Sequence, residues 1–494
     1  MIIDTINELL GLNYERNIIA INDDGILDKT ILIENLIKKD WSVHNYYDTD
    51  LLRYDYENYY RKGSVTKNLI VVDSNIYIPY DIQKAMYMAR ISYSELFPRL
   101  NTFILRQRYN LNLDLIDIAY RNDVYKNLNE KETKAFLDRE IYKKKNIEQY
   151  KESVSEHIDL ILQSEKSHEC WYKIIKSLAV LNSVCSIAND GIGISELLKK
   201  VNITFEEYIL NNYNMLASLP VKNEPILVSK IVEHIYLNNQ TSFKTAIIVM
   251  DGMSAFDWEA IKQALPNYKF VERLCYAMIP TITSISRQCL FSGTYPNVLD
   301  DITSLSGESR LFIENANSRG LGTENVRYFR GYDFEPYGTD KLVGIVINDI
   351  DDIVHSQKRA RLGMYNDVAH ITEDGRLKEL IEVLLEDGFS VYVASDHGNT
   401  HSVCIGQQKN GVEIESKNQK ALILRDFVNE DELLYSYNLI LYPGYLLPKG
   451  FKYLLCKSGD AFGIEGKKIM THGGISIEET IVPFVKIERR NENE

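Results

Sequence analysis

The chain has 494 residues, of which 45% are hydrophobic and 26% charged, ordinary values for folded protein that exclude wholesale disorder. A net charge of −14 disfavours broad, non-specific binding to duplex nucleic acid, which needs an excess of Lys and Arg, although it leaves room for a local basic groove. No uncharged apolar run reaches the roughly 18 residues of a membrane span, and the opening Met1-Ile-Ile-Asp-Thr-Ile-Asn7 lacks the basic-then-apolar layout of a signal peptide; a cytoplasmic protein with no membrane contact is expected.

At roughly 100–200 residues per domain the length predicts two to four domains, and the pattern separates three regions, 1–110, 111–240 and 241–494. In the first, Asn17–Asn22 and Asn68–Asp73 are short apolar runs ending in polar residues, consistent with buried parallel strands. Thr30–Lys39 has helical spacing between them, and Trp41-Ser-Val43 begins another strand. Strands alternating with helices predict a small α/β layer. Asp23, Asp24 and Asp73 end two of these strands; they fit either a receiver-like phosphoacceptor site or ordinary turns.

From 111 to 240 the sequence turns to helix formers of mixed charge, as in Glu130–Lys145 and Tyr150–Ser164, and Pro is absent from 101 to 219. A helical connecting region is predicted, in which His157, His168 and His234 are structural. Cys170, Cys185, Cys275, Cys289, Cys404 and Cys456 are scattered singly, without a disulfide or CxxC framework, and read as small buried apolar residues.

The third region again alternates strands and helices. Thr245–Met250, Lys341–Ile347 and Ser390–Ala394 read as buried strands, Arg376–Leu385 as an amphipathic helix, and Ile481–Ile487 as an edge strand because Pro483 cannot donate to a ladder. A mostly parallel sheet flanked by helices follows, and ligands of such sheets sit beyond the carboxyl ends of the strands.

At those ends stand residues with metal-binding chemistry. Asp251-Gly252 follows the first strand, Asp396-His397-Gly398 follows a later one, and His472-Gly473-Gly474 lies near the end. Asp351 and His355, four apart, share one face if a helix starts there. Asp367 with His370 is a rival pair, and Asp349 and Asp352 adjoin Asp351. Carboxylate, imidazole and hydroxyl donors suit Zn²⁺ or Mn²⁺, and the lack of cysteine among them argues against a structural zinc.

A strand over Cys275–Ile279 is expected to meet Pro280 and then a helix opening near Thr283. A hydroxyl at a helix N-terminus lies where backbone N–H groups and the dipole favour phosphate. Arg287, one turn on, shares that face and is expected to hold a phosphate oxygen. Thr281, Ser284 and Ser286 offer competing hydroxyls; Thr281 and Ser286 are expected to be dispensable. Taken singly, each element has a plain structural explanation: a turn at Asp-Gly, an N-cap at Thr283, an exposed pair at Asp351 and His355. Their order and their placement at strand ends make coincidence a poor account.

The succession Asp251-Gly, Pro280-Thr-Ile-Thr283, Asp351-xxx-His355, Asp396-His397-Gly and His472-Gly-Gly resembles the alkaline phosphatase superfamily. The wording Pro280-Thr-Ile-Thr-Ser-Ile-Ser-Arg287 with Ser292-Gly-Thr-Tyr-Pro296 is most similar to PglZ-domain proteins, which accompany BREX phage-defence loci; a related domain is the effector of some bacterial response regulators. The resemblance implies an alkaline-phosphatase-like domain holding two divalent ions, Zn²⁺ or Mn²⁺. One ion would lie on Asp251, Thr283, Asp396 and His397, the other on Asp351, His355 and His472. It implies a phosphoesterase with Thr283 as nucleophile, acting on a nucleotide or nucleic-acid diester, with other defence proteins as partners. A phosphomutase of the same superfamily and a non-catalytic, metal-stabilised assembly subunit are the alternatives.

Overall fold

The computed structural model describes residues 2–27, 36, 41–61, 67–108, 110–164, 166–189, 193–239, 244–407, 419–425 and 430–490. These form two compact units, Met1–Ser153 and Val154–Glu494, so the stretch read as one helical connector is shared between them.

The first unit is built on four parallel strands, β1 (Asn17–Asn22), β2 (Trp41–Tyr46), β3 (Lys67–Val72) and β4 (Tyr87–Ile91), in the order β2-β3-β1-β4. Ile19, Ile70 and Val72 from the strands pack with Leu52, Ile78 and Ile82. The helix read at 30–39 lies outside the described residues except for Leu36. Helices follow at Leu113–Asp123 and Glu130–Asp138; the second opens with a capping box in which Asn129 and Glu132 exchange side-chain-to-backbone bonds.

The second unit carries a six-stranded sheet. Its strands are β5 (Thr245–Met250), β6 (Tyr268–Tyr276), β7 (Val326–Arg330), β8 (Leu342–Ile347), β9 (Ser390–Ala394) and β16 (Ile481–Arg489), in the order β6-β16-β9-β5-β8-β7. Only β16 runs against the others, so the expected mostly parallel α/β sheet is present. Every residue of β5 and β8 is buried, which is why both read as continuous apolar runs. Between β9 and β16 two smaller sheets form, from β10 (Thr400–Cys404), β14 (Asp460–Ala461) and β15 (Lys468–Thr471), and from β11 (Ala421–Arg425), β12 (Ile440–Tyr442) and β13 (Phe451–Leu455).

Two sequence expectations are corrected. β16 is not an edge strand: it lies between β6 and β9. The Pro483 carbonyl accepts from the Ser395 N–H, so its ring nitrogen faces the same side, beyond Ala394, the last β9 residue in the ladder. The reciprocal bond to Ser395 is the one that the ring nitrogen cannot make, so the Pro sits where the ladder with β9 ends. The strand expected at Cys275–Ile279 instead ends at Tyr276, leaving 277–282 as the loop that enters the helix Thr283–Ser292. Among the described residues no helix is long and apolar enough to cross a membrane.

Candidate metal centre

Segments beyond the carboxyl ends of β5, β8, β9 and β15 bring six residues into two groups. Asp251, Asp396 and His397 form one and Asp351, His355 and His472 the other, with the ligand atoms of each group all within 4.8 Å of one another. The groups adjoin, because the His397 and His472 rings stack with centroids 4.2 Å apart. All but His355 are buried.

The first group follows from two strand ends. Asp251 closes β5 and Gly252 turns the chain at φ +73°, where a side chain would be strained and its Cβ would lie 3.5 Å from Asp351. The Gly252 N–H binds Asp396 Oδ1 at 3.2 Å. Asp251 Oδ1 and Asp396 Oδ2 are buried without a hydrogen-bond partner. Burial and the neighbouring Asp251 push the Asp396 carboxyl well above its usual range. Two unsatisfied buried carboxylate oxygens side by side are costly unless a cation joins them, so the donor set fits a divalent ion.

Hydrogen bonds also set which imidazole nitrogen each histidine offers. His397 Nδ1 lies 3.0 Å from the Gly398 carbonyl and His472 Nδ1 2.9 Å from the Thr281 carbonyl. A carbonyl only accepts, so both Nδ1 atoms carry the proton and both Nε2 atoms are left as lone-pair donors. Burial, reinforced by His472, holds the His397 pKa down to about 4, which keeps it neutral. In the second group Asp351 Oδ1 lies 3.2 Å from His355 Nε2 and 3.4 Å from His472 Nε2. The helix Asp349–Ser356 supplies the four-residue spacing. Of the rivals, Asp349 binds Tyr332 and Arg376, Asp367 binds Gln357, and His370 is in neither group.

Thr283 is the first residue of its helix, and its Oγ1 lies 2.9 Å from His397 Nε2. The neighbouring hydroxyls face elsewhere. Ser284 binds the Ile302 carbonyl, Ser286 the Asp396 carbonyl, and Thr281 the Glu479 carboxylate.

The placement of Arg287 differs from the expected contact with phosphate. Its Nη1 lies 2.5 Å from Asp251 Oδ2, its Nε lies 2.7 Å from Glu308 Oε1, and the residue is 1% exposed. Arg287 therefore fixes one oxygen of Asp251 and turns the other inward. Burial opposes its charge, but Asp251, Asp396 and Glu308 more than restore it. Glu308, Glu479, Lys420 and Asn399, whose amide binds Gly252 O and Asp257, were not singled out by sequence. The one legible sign was Ser476-x-x-Glu479, a capping-box spelling.

Residues 227–487 match the family of the BREX system PglZ alkaline phosphatase-like domain. The chain belongs to the PglZ family. The matched PglZ segment contains every residue of both groups and all of the six-stranded sheet except the last residues of β16. Among solved structures, the chain is similar to murine ectonucleotide pyrophosphatase/phosphodiesterase 5 (12% identity, TM-score 0.34, covering 49% of this chain and 87% of that one). It is also similar to phosphonoacetate hydrolase from Sinorhizobium meliloti 1021 (11% identity, TM-score 0.30, covering 51% and 91%). No curated protein matches the sequence.

Proposed function

We propose that the PglZ domain is a metal-dependent phosphoesterase in which Thr283 is the nucleophile, with Asp251, Thr283, Asp396 and His397 holding one divalent ion and Asp351, His355 and His472 the other. The observation that carries this reading is the direction of the hydroxyls. Of four in six residues, only that of Thr283 points to a ligand histidine. When bound, two divalent ions supply Lewis acidity that lowers the hydroxyl's pKa and balances charge on the phosphoryl group.

The chain's own residues do the rest. Thr283 Oγ1 attacks phosphorus, forming a Thr–O–P bond as the bond to the leaving oxygen breaks, and the leaving alcohol departs with a proton. Water then cleaves the phosphothreonine, returning the hydroxyl and releasing the phosphorylated half. The N-terminus of the helix Thr283–Ser292 faces the phosphate with backbone N–H groups. Arg287 keeps Asp251 oriented.

The substrate proposed is a diester, a nucleotide or nucleic-acid strand. The charge of Arg287 is already matched by Asp251 and Glu308, which favours the monoanionic phosphate of a diester over a dianionic monoester. Zn²⁺, or Mn²⁺, suits the carboxylate and imidazole donors. The setting proposed is phage defence, in the cytoplasm and with other defence proteins; membership of a BREX-system family supports the defence partners.

Turnover of bis(p-nitrophenyl) phosphate and of p-nitrophenyl phosphate by protein of measured metal content tests the reading. Diester cleavage that chelator abolishes is expected. A melting shift on adding metal, with no turnover of either ester, would replace the enzyme by a metal-stabilised assembly subunit. Isomerisation of a sugar phosphate without phosphate release would make it a mutase.

A further inference from the structure

Lys420 and Glu479 are both fully buried, and their charges meet at 2.8 Å. Taking an ammonium and a carboxylate out of water commonly costs as much as their attraction returns, and an apolar pair of similar volume serves stability as well. The pair therefore calls for a reason beyond stability, and its partners supply one.

Glu479 gathers the segments around His472. Its Oε1 accepts from Lys420 Nζ and from the N–H and hydroxyl of Ser476, and its Oε2 accepts from the Gly474 N–H and Thr281 Oγ1. Thr281 Oγ1 also accepts the Gly473 N–H, and the Thr281 carbonyl takes the Nδ1 proton of His472. A Cβ on Gly474 would lie 2.6 Å from Lys420 Cε and 2.9 Å from Glu479 Oε1, so the second glycine of the His-Gly-Gly motif makes room for the ion pair. The Lys420 carbonyl accepts the N–H of Cys456, which joins the pair to the accessory sheet of β11, β12 and β13.

We propose that Lys420 and Glu479 are positioning residues for the Asp351–His355–His472 site: they hold the Thr281 main chain and the Gly473–Gly474 turn so that His472 presents Nε2 to the ion. The accessory sheet, outside the parallel sheet that carries the other ligands, thereby becomes a brace for one of the two ion sites. The inference rests on reading those three residues as ligands.

Full-length protein stripped of metal is titrated with Zn²⁺ in competition with a chromophoric chelator, and wild type is expected to take up two ions. In Lys420→Met one of the two affinities is expected to fall by about 10–100-fold, the range found when an outer partner of a ligand is lost, while the other holds. Thr281→Val, nearly isosteric, is expected to weaken the same ion. Loss of both affinities together in Lys420→Met would mark a merely structural pair and overturn the proposal. Two unchanged affinities in Lys420→Met overturn the proposal, or the same result in Thr281→Val should Lys420→Met fail to fold. Wild type that binds no ion removes the ligand reading itself and this inference with it. Two ions in wild type with unchanged variants remove this inference alone.

Discussion

Both units of the chain place acidic residues just past the ends of parallel strands, and the two sets have different fates. In the first unit Asp23 pairs with Arg90, Asp24 with Arg106 and the Tyr93 N–H, and Asp73 binds the Asn75 N–H two residues on. These acids brace turns. In the second unit Asp251 and Asp396 meet each other and a histidine, and each keeps a buried oxygen without a hydrogen-bond partner. Asp23 also keeps one such oxygen, so an orphaned acceptor is not the discriminator. Company is: among the described residues, only the second unit assembles three ligand-type side chains at one point.

The largest expected effect sharpens this comparison at its centre. Thr283→Ala should lower turnover of bis(p-nitrophenyl) phosphate by roughly a thousand-fold or more, with metal content only partly reduced because the other ligands remain. Near-wild-type turnover with metal bound would mean that water attacks directly.

Next comes the support behind Asp251. Arg287→Met leaves Asp251 buried without its cation and Glu308 with Arg330 alone, and should destabilise the fold by about 3–5 kcal/mol in urea unfolding, as breaking a buried pair does. Arg287→Lys should recover part of that. A loss below about 1 kcal/mol in Arg287→Met would show the cluster to be solvated.

A smaller effect lies in pH. The folded-state pKa of His397 is held down to about 4 by burial, below the unfolded value near 6.5. The unfolded chain therefore binds a proton that the folded chain refuses. Stability from this residue is present above about pH 6.5 and is lost as pH falls towards 4. For metal-stripped protein the loss between pH 7 and 5 should be about 2 kcal/mol, and His397→Gln should flatten it. An unchanged slope in that variant would assign the loss to other groups.

The smallest effect belongs to the first unit. Asp73→Ala should leave esterase activity within a few-fold of wild type, since this exposed residue closes a turn. A drop comparable to Asp396→Ala would restore a phosphoacceptor role and break the comparison.

Much of the candidate site was legible because its ligands follow strongly apolar strands. Thr245–Met250, Leu342–Ile347 and Ser390–Ala394 are unmistakable as text, and Asp251 and Asp396 stand one and two residues beyond two of them. The fourth strand of the first unit was not legible, because in Tyr87–Ile91 exposed and buried positions mix without an apolar run. The supporting residues were also hidden. Glu308 reaches Arg287 from 21 positions away and Glu479 reaches Lys420 from 59, and no local periodicity encodes such meetings. Thr281 carries a second role that its sequence position did not announce. Its hydroxyl read as a dispensable competitor of Thr283, and the fold makes it the link between Glu479 and the turn that carries His472.

The interior position of β16 has a consequence for how the protein is made. Within its sheet β6 pairs with β16 alone, and β16 is synthesised long after it. On the ribosome the facing edges of β6 and β9 stay open until residues 481–489 emerge, so the second unit cannot close its sheet during most of its own translation. Open edges of that kind recruit foreign strands, and a nascent chain stalled before β16 is expected to be the aggregation-prone species, bound by chaperones and released once the last strand is threaded between its two partners.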